Sequence, residues 1–243
     1  MGSYEVIPQG KRFSGLFNRI RSEIWGFIAI GILLACVLPS AIGYTGTAGE
    51  PYSFLNHYIS ELGQVGVSQL APLFNTGLIV GGFIAAVFML GLGLYLNTTL
   101  ARVAMGFGIF SGIACSCVGF FPMNTLHTHT IVATSFFVGG MLTVAIFSVV
   151  IFRQKGKRIP GLLSIAGIIV AGIYIAFLVD AYIRGHGAGH GPLGTITARP
   201  HIWWRTILEW SVFFAMLAWI LLVSIVMFIK NKKLGKEGHQ LQT

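Results

Sequence analysis

The sequence predicts an all-α, polytopic integral membrane protein: six transmembrane helices in one bundle, with both termini cytoplasmic. Three observations carry that expectation. Six apolar runs of about 20 residues are each long enough, at about 1.5 Å per residue, to cross roughly 30 Å of hydrocarbon. Only 9% of the 243 residues are charged and 55% are hydrophobic, whereas a water-facing domain carries about 25% charged residues. The basic residues fall in alternate gaps, 13 of the 16 on one side, which the positive-inside rule assigns to the cytoplasm. This composition excludes a disordered chain, a disulfide scaffold and a soluble nucleic-acid binder, so the net charge of +9 is topogenic rather than the mark of a polyanion partner.

The elements follow in order. Residues 1–23 form a basic cytoplasmic segment holding Lys11, Arg12, Arg19 and Arg21, and residues 24–229 form the membrane domain. The first span covers 24–43. Its basic leader and Leu33-Leu34-Ala35-Cys36 resemble a cleaved lipoprotein signal, but the apolar run continues well past Cys36, so the span is kept. The second and third spans, 72–96 and 103–121, carry Gly77 with Gly81 and Gly108 with Gly112. Small residues four apart let helix backbones approach, inside the bundle rather than at a dimer face. Arg102 lies between these spans, beside Asn97-Thr98-Thr99, a glycosylation pattern that the cytoplasmic placement leaves unused. The fourth span, 131–152, is followed by Arg153, Lys155, Lys157 and Arg158; then come 160–183 and 206–229, and a basic cytoplasmic tail, 230–243. Trp203, Trp204 and Trp210 on the outer side, with Trp25 and Tyr95 on the inner, read as an aromatic belt. Cys36, Cys115 and Cys117 lie inside apolar runs and match no disulfide or metal spacing.

Polar chemistry concentrates on the outer side. His57, His127, His129, His186, His190 and His201 fall in the three outer connections; Glu50 and Glu61 share the first of these, and Asp180 and Glu209 sit at the outer hydrocarbon boundary. An ionisable group at that depth is a functional candidate, because burying it unpaired costs several kcal/mol. Two chemistries are open. Two or three of the six histidines, with Glu61 or Asp180, could ligate zinc or copper; or a histidine oriented by a carboxylate could act as a general base at headgroup level. The spacing favours neither. His127 and His129 would face opposite sides of a helix, and His186 and His190 lie in a Gly-rich loop. The competing expectation is exposed loop histidines beside structural ion pairs, Asp180 with Arg184 or Arg205 with Glu209.

Short motifs then carry a resemblance. Tyr58-Ile59-Ser60-Glu61-Leu62-Gly63, Leu73-Phe74-Asn75 opening a Gly-rich span, Gly119-Phe120-Phe121-Pro122 with His129 and Phe136-Phe137-x-x-Gly140, and Leu208-Glu209-Trp210 resemble the six-span Frag/DRAM/Sfk family, and in particular its prokaryotic counterpart, domain of unknown function 998. The resemblance runs from about Tyr52 to Val223 and implies an association with membrane lipid, without an agreed activity. It does not extend to His186, His190 or their Gly-rich loop. Carried onto this chain, it marks Ser60, Glu61, Asn75, His129 and Glu209, with Asp180 beside them, as a candidate polar pocket; Pro122 is expected to end the third span, Asn75 to hydrogen-bond a neighbouring helix, and His129 and Glu209 to share one site. The leading expectation is a lipid-associated membrane protein with a His- and acid-rich pocket at the extracytoplasmic face. The alternatives are a metal- or His-dependent enzyme acting on outer-leaflet lipid, and a structural subunit of a homo-oligomer or larger membrane complex.

Overall fold

Each apolar run becomes one helix in the computed structural model, which describes residues 21–184 and 199–240. The helices are α1 (Ser22–Ile42), α2 (Ala71–Leu96), α3 (Thr99–Phe120), α4 (Leu126–Arg153), α5 (Leu162–Arg184) and α6 (Trp204–Gln240), with 3-10 turns at Ile59–Gly63 and Met123–Thr125. All six are long and apolar enough to cross a membrane. Among the described residues the extended structure is a single bridge between Thr45 and Pro51.

The helix ends differ from the expected spans for local reasons. Asn97 closes α2 in the left-handed conformation (φ 48°), and the Thr98 hydroxyl caps α3 by accepting the Ala101 N–H at 3.1 Å. The glycosylation-like tripeptide is therefore a C-cap joined to an N-cap. Beyond Pro122, α4 starts earlier than expected, at Leu126, and so takes in His127 and His129. These two belong to a first helical turn rather than to a connection. At the other end α6 continues through the basic tail to Gln240.

Each helix packs on its neighbours in sequence, and α6 packs back on α1, so the six form a closed ring. Apolar side chains such as Phe110, Ile113, Ile168 and Phe214 cover the outside, where hydrocarbon replaces water. Inside, α2 and α3 meet through glycine. A Cβ on Gly82 would stand 2.6 Å from the Gly112 carbonyl oxygen, and one on Gly112 would stand 2.7 Å from the Gly82 oxygen. Gly77 and Gly81 face Cys36 and Leu33 of α1, and Gly108 faces Met89, so all four glycines that suggested close approach are used within one chain. Serines add hydrogen bonds between helices: Ser116 donates to the Ile79 carbonyl at 2.8 Å, Ser111 to Phe136 at 2.9 Å, and Ser164 to Ser148 at 2.8 Å.

One end of the ring gathers the basic residues. Asn231 donates to Glu23 at 3.1 Å, Arg21 lies 5.0 Å from the Phe228 ring centre, Lys230 donates to the Lys157 carbonyl at 3.2 Å, and Arg158 donates to the Tyr95 carbonyl. The opposite end gathers the acids and histidines.

Candidate functional site at the acid-bearing end

The first connection is long enough to fold back over the ring, and its polar backbone has to be satisfied there. Trp203 N–H donates to the Leu55 carbonyl at 2.8 Å and Asn56 donates to the Pro200 carbonyl at 3.1 Å. Asn124, between α3 and α4, pairs with both backbone groups of Val65, at 2.9 and 3.0 Å. Asn75 of α2 donates to the Gly63 carbonyl at 2.9 Å; its oxygen lies where a Cβ on residue 63 would stand, which explains the glycine. Asn75 thus anchors this connection rather than a neighbouring helix.

Glu61 is buried and closes its own 3-10 turn, accepting the Tyr58 N–H at 2.6 Å. Arg199, just before α6, holds the same carboxylate through both oxygens, at 2.7 and 3.2 Å. Burial pushes the Glu61 carboxyl above the usual carboxylate range, and Arg199 pulls it part of the way back. His57 is buried among Tyr52 at 4.9 Å and Tyr44 at 5.4 Å between ring centres. Burial, reinforced by the Arg199 charge, lowers its imidazole to about 4, so the ring is neutral. Trp210 belongs to the same aromatic group, donating to the Tyr52 hydroxyl at 3.0 Å, and is buried rather than part of a belt.

The remaining acids lie on the helices. Asp180 of α5 takes Arg205 of α6 at 2.9 Å, and the Arg205 guanidinium also donates to the Asp180 carbonyl at 3.0 Å. Glu209, one turn beyond Arg205, instead receives the Ile59 N–H at 2.9 Å, which corrects the expected Arg205 to Glu209 pair. No cation pairs with Glu209 among the described residues. His129 is buried in the first turn of α4, and its Nδ1 lies 2.8 Å from the Phe121 carbonyl oxygen. A carbonyl only accepts, so Nδ1 is the donor, and in the neutral ring Nε2 is the acceptor.

Two cavities meet at these groups. The first, about 100 Å³, is almost wholly apolar and runs down the ring between α1, α2, α3, α4 and α6, past Met89, Phe136 and Ile220. From Glu209 to Ile220 along α6 is about 16 Å at 1.5 Å per residue. The second, about 110 Å³, lies between α4, α5 and α6, where Tyr58, Thr130, Thr134 and Arg205 give it a more polar lining. Both are lined by Ser60, His129, Ala133, Phe137 and Glu209.

The expected pocket residues therefore separate by role. Ser60, His129 and Glu209 face cavity space, while Glu61, Asn75 and Asp180 secure the polypeptide around it. Tyr58 and Arg199 were missed as partners, and Arg205 was expected on Glu209 rather than on Asp180, although the three arginines on the acid-bearing side were the available signal. The histidines expected around zinc or copper are dispersed: His57 is enclosed by aromatic rings, His129 faces the cavities, and His127 and His201 are exposed. Among the described residues no three His, Cys, Asp or Glu side chains come together as a metal needs, because the helical turn sends His127 and His129 to opposite sides. His186 and His190 lie outside the described residues.

No curated protein and no solved structure matches the chain. The profile of one family does match, over residues 27–226, a stretch that reaches into all six helices and takes in the full lining of both cavities, and the chain therefore belongs to the family described as protein of unknown function (DUF998).

Proposed function

We propose that this protein binds a membrane lipid, with one acyl chain in the apolar cavity and the headgroup at Ser60, His129 and Glu209. The observation that carries this reading is the matched depth and polarity of the cavity. Its walls are mostly apolar for about 16 Å, close to the roughly 15 Å hydrocarbon thickness of one leaflet; the hydroxyls of Ser111 and Thr143 interrupt them, and the carboxyl and imidazole in its lining, Glu209 and His129, stand together at one end. Small-molecule sites have this character, apolar walls with a few placed polar groups. The 13 to 3 division of basic residues supports an orientation with the acid-bearing end outside and both termini in the cytoplasm, and in that orientation the lipid comes from the extracytoplasmic leaflet. The resemblance to the Frag/DRAM/Sfk family agrees with a lipid ligand.

A photoactivatable fatty-acyl phospholipid, offered to the full-length protein in nanodiscs, tests the reading. Crosslinks are expected on cavity residues of α4 and α6, and Ala133→Phe, which fills the space shared by both cavities, is expected to remove them. Crosslinks confined to outward residues such as Ile168, and indifferent to Ala133→Phe, would overturn it.

A second reading, acyl hydrolysis or transfer on the bound lipid, draws on one further observation: a hydroxyl, an imidazole held as its Nδ1–H tautomer, and a carboxyl line the same cavity. Turnover of bound ester lipid that disappears in His129→Gln would support it.

A further inference from the structure

The acid-bearing end holds three buried or half-buried carboxyl groups on the elements around the cavities, and two have an arginine. Arg199 pairs with Glu61, and Arg205 with Asp180. Among the described residues Glu209 has only the Ile59 amide, yet it is 6% exposed and lines both cavities. A carboxylate offers about four lone-pair directions, and one amide leaves most of them directed at ligand space. Beside it stands one further acceptor. The Ser60 hydroxyl directs its hydrogen at the Met123 sulfur, 3.3 Å away, which turns its lone pairs elsewhere, and the Met123 sulfur and the His129 ring line the same second cavity.

From this arrangement we infer that the headgroup recognised here is a primary ammonium, held at the meeting point of the two cavities by Glu209 and accepted in part by Ser60. The inference rests on the lipid-binding reading above. A primary ammonium supplies one positive charge and three N–H donors, matching a two-oxygen carboxylate that has no cation among the described residues and one neutral hydroxyl acceptor. A quaternary ammonium supplies the charge without donors, and an alcohol supplies a donor without the charge. Where the amine belongs to a phospholipid, its phosphate would lie in the second cavity, the one lined by Arg205 and Tyr58. A long-chain amine would leave that cavity unfilled.

The experiment is competition against the photoactivatable phospholipid on full-length protein in nanodiscs. Four competitors are used: phosphatidylethanolamine, phosphatidylcholine, dodecylamine and dodecanol. Phosphatidylethanolamine is expected to compete at least about tenfold better than phosphatidylcholine, and dodecylamine at least about tenfold better than dodecanol, the range of a charged hydrogen bond. Glu209→Gln, which keeps the shape and removes the charge, is expected to collapse both ratios towards one while dodecanol competes as before. Preference in only the phospholipid pair would assign the amine to a phospholipid; preference in only the dodecyl pair would assign it to a free long-chain amine. Equal competition within both pairs in the wild-type protein, or preferences that survive Glu209→Gln, would overturn the inference. Because the wild-type ratios need no variant, a misfolded Glu209→Gln cannot hide the answer. If Ala133→Phe abolishes crosslinking but the ratios are one, the lipid site stands and the ammonium fails; if crosslinking ignores Ala133→Phe, the site itself fails.

Discussion

His57 shows how a residue that looks like a metal ligand can serve a packed loop instead. Its ring, lowered to about 4 by burial, contributes stability that is fully present above its ordinary value of about 6.5 and lost as pH falls through 4. Thermal unfolding of the detergent-solubilised protein should therefore show a loss of roughly 2 to 3 kcal/mol between those limits, absent from His57→Phe. Glu61 works in the opposite sense: its raised carboxyl favours folding below the usual carboxylate range and loses that contribution as pH rises through its folded value. The His57 effect is accordingly read as the difference between wild type and variant at each pH. Arg199→Ala should cost roughly 3 kcal/mol, because it strands a buried carboxylate. Adding Glu61→Gln should restore most of that, which paired denaturation curves would measure. A solvated Glu61 would give no such rescue.

At the scale of the element, the glycines decide how close α2 and α3 can come. Gly82→Ala would drive a Cβ to 2.6 Å from a backbone oxygen that belongs to the facing helix, a clash that backbone movement has to relieve at a cost of roughly 2 kcal/mol. Gly106, on the same α3, meets nothing within 4 Å. Gly106→Ala should be neutral, or stabilising by up to about 1 kcal/mol through helix propensity. Unfolding of both variants in the same micelle separates contact from propensity. The helices themselves were legible, because about 20 apolar residues leave the backbone no other way to satisfy its amides in lipid. Their ends were less so. Thr98 and Asn97 cap through local geometry that hydropathy does not register, and α4 reaches back to Leu126 through the polar turns of His127 and Thr130, where an apolar count stops short.

For the whole molecule, the charge asymmetry predicts an orientation that labelling can check. A Lys157→Cys variant should react with a membrane-impermeant maleimide only after the cell is opened; reaction in intact cells would reverse the topology. The same scale explains which parts of the site could be read in advance. Ser60, His129 and Glu209 were visible because reactive side chains are scarce in so apolar a chain, and any found near a helix end stand out. Their companions were not, since Arg199 lies 138 positions along the chain from Glu61 and nothing short of the closed ring brings those segments together. The helix spacing that placed His127 and His129 on opposite faces also argued against a shared metal. Asp180 and Arg205 met across a helix boundary that i to i+4 reasoning along one helix could not cross.

The closure of α6 on α1 also orders events in time. A chain is made from its amino terminus, and each of the first five helices can settle against the one before it as it enters the bilayer. With five in place the sheath is still open along one side, and the apolar cavity is a groove facing lipid. The sixth helix brings Glu209 and Arg205 together with the wall that turns the groove into a chamber. Under the proposed lipid-binding reading, biogenesis thereby offers a moment at which a lipid already lying in the groove is walled in on its last side instead of threaded in afterwards.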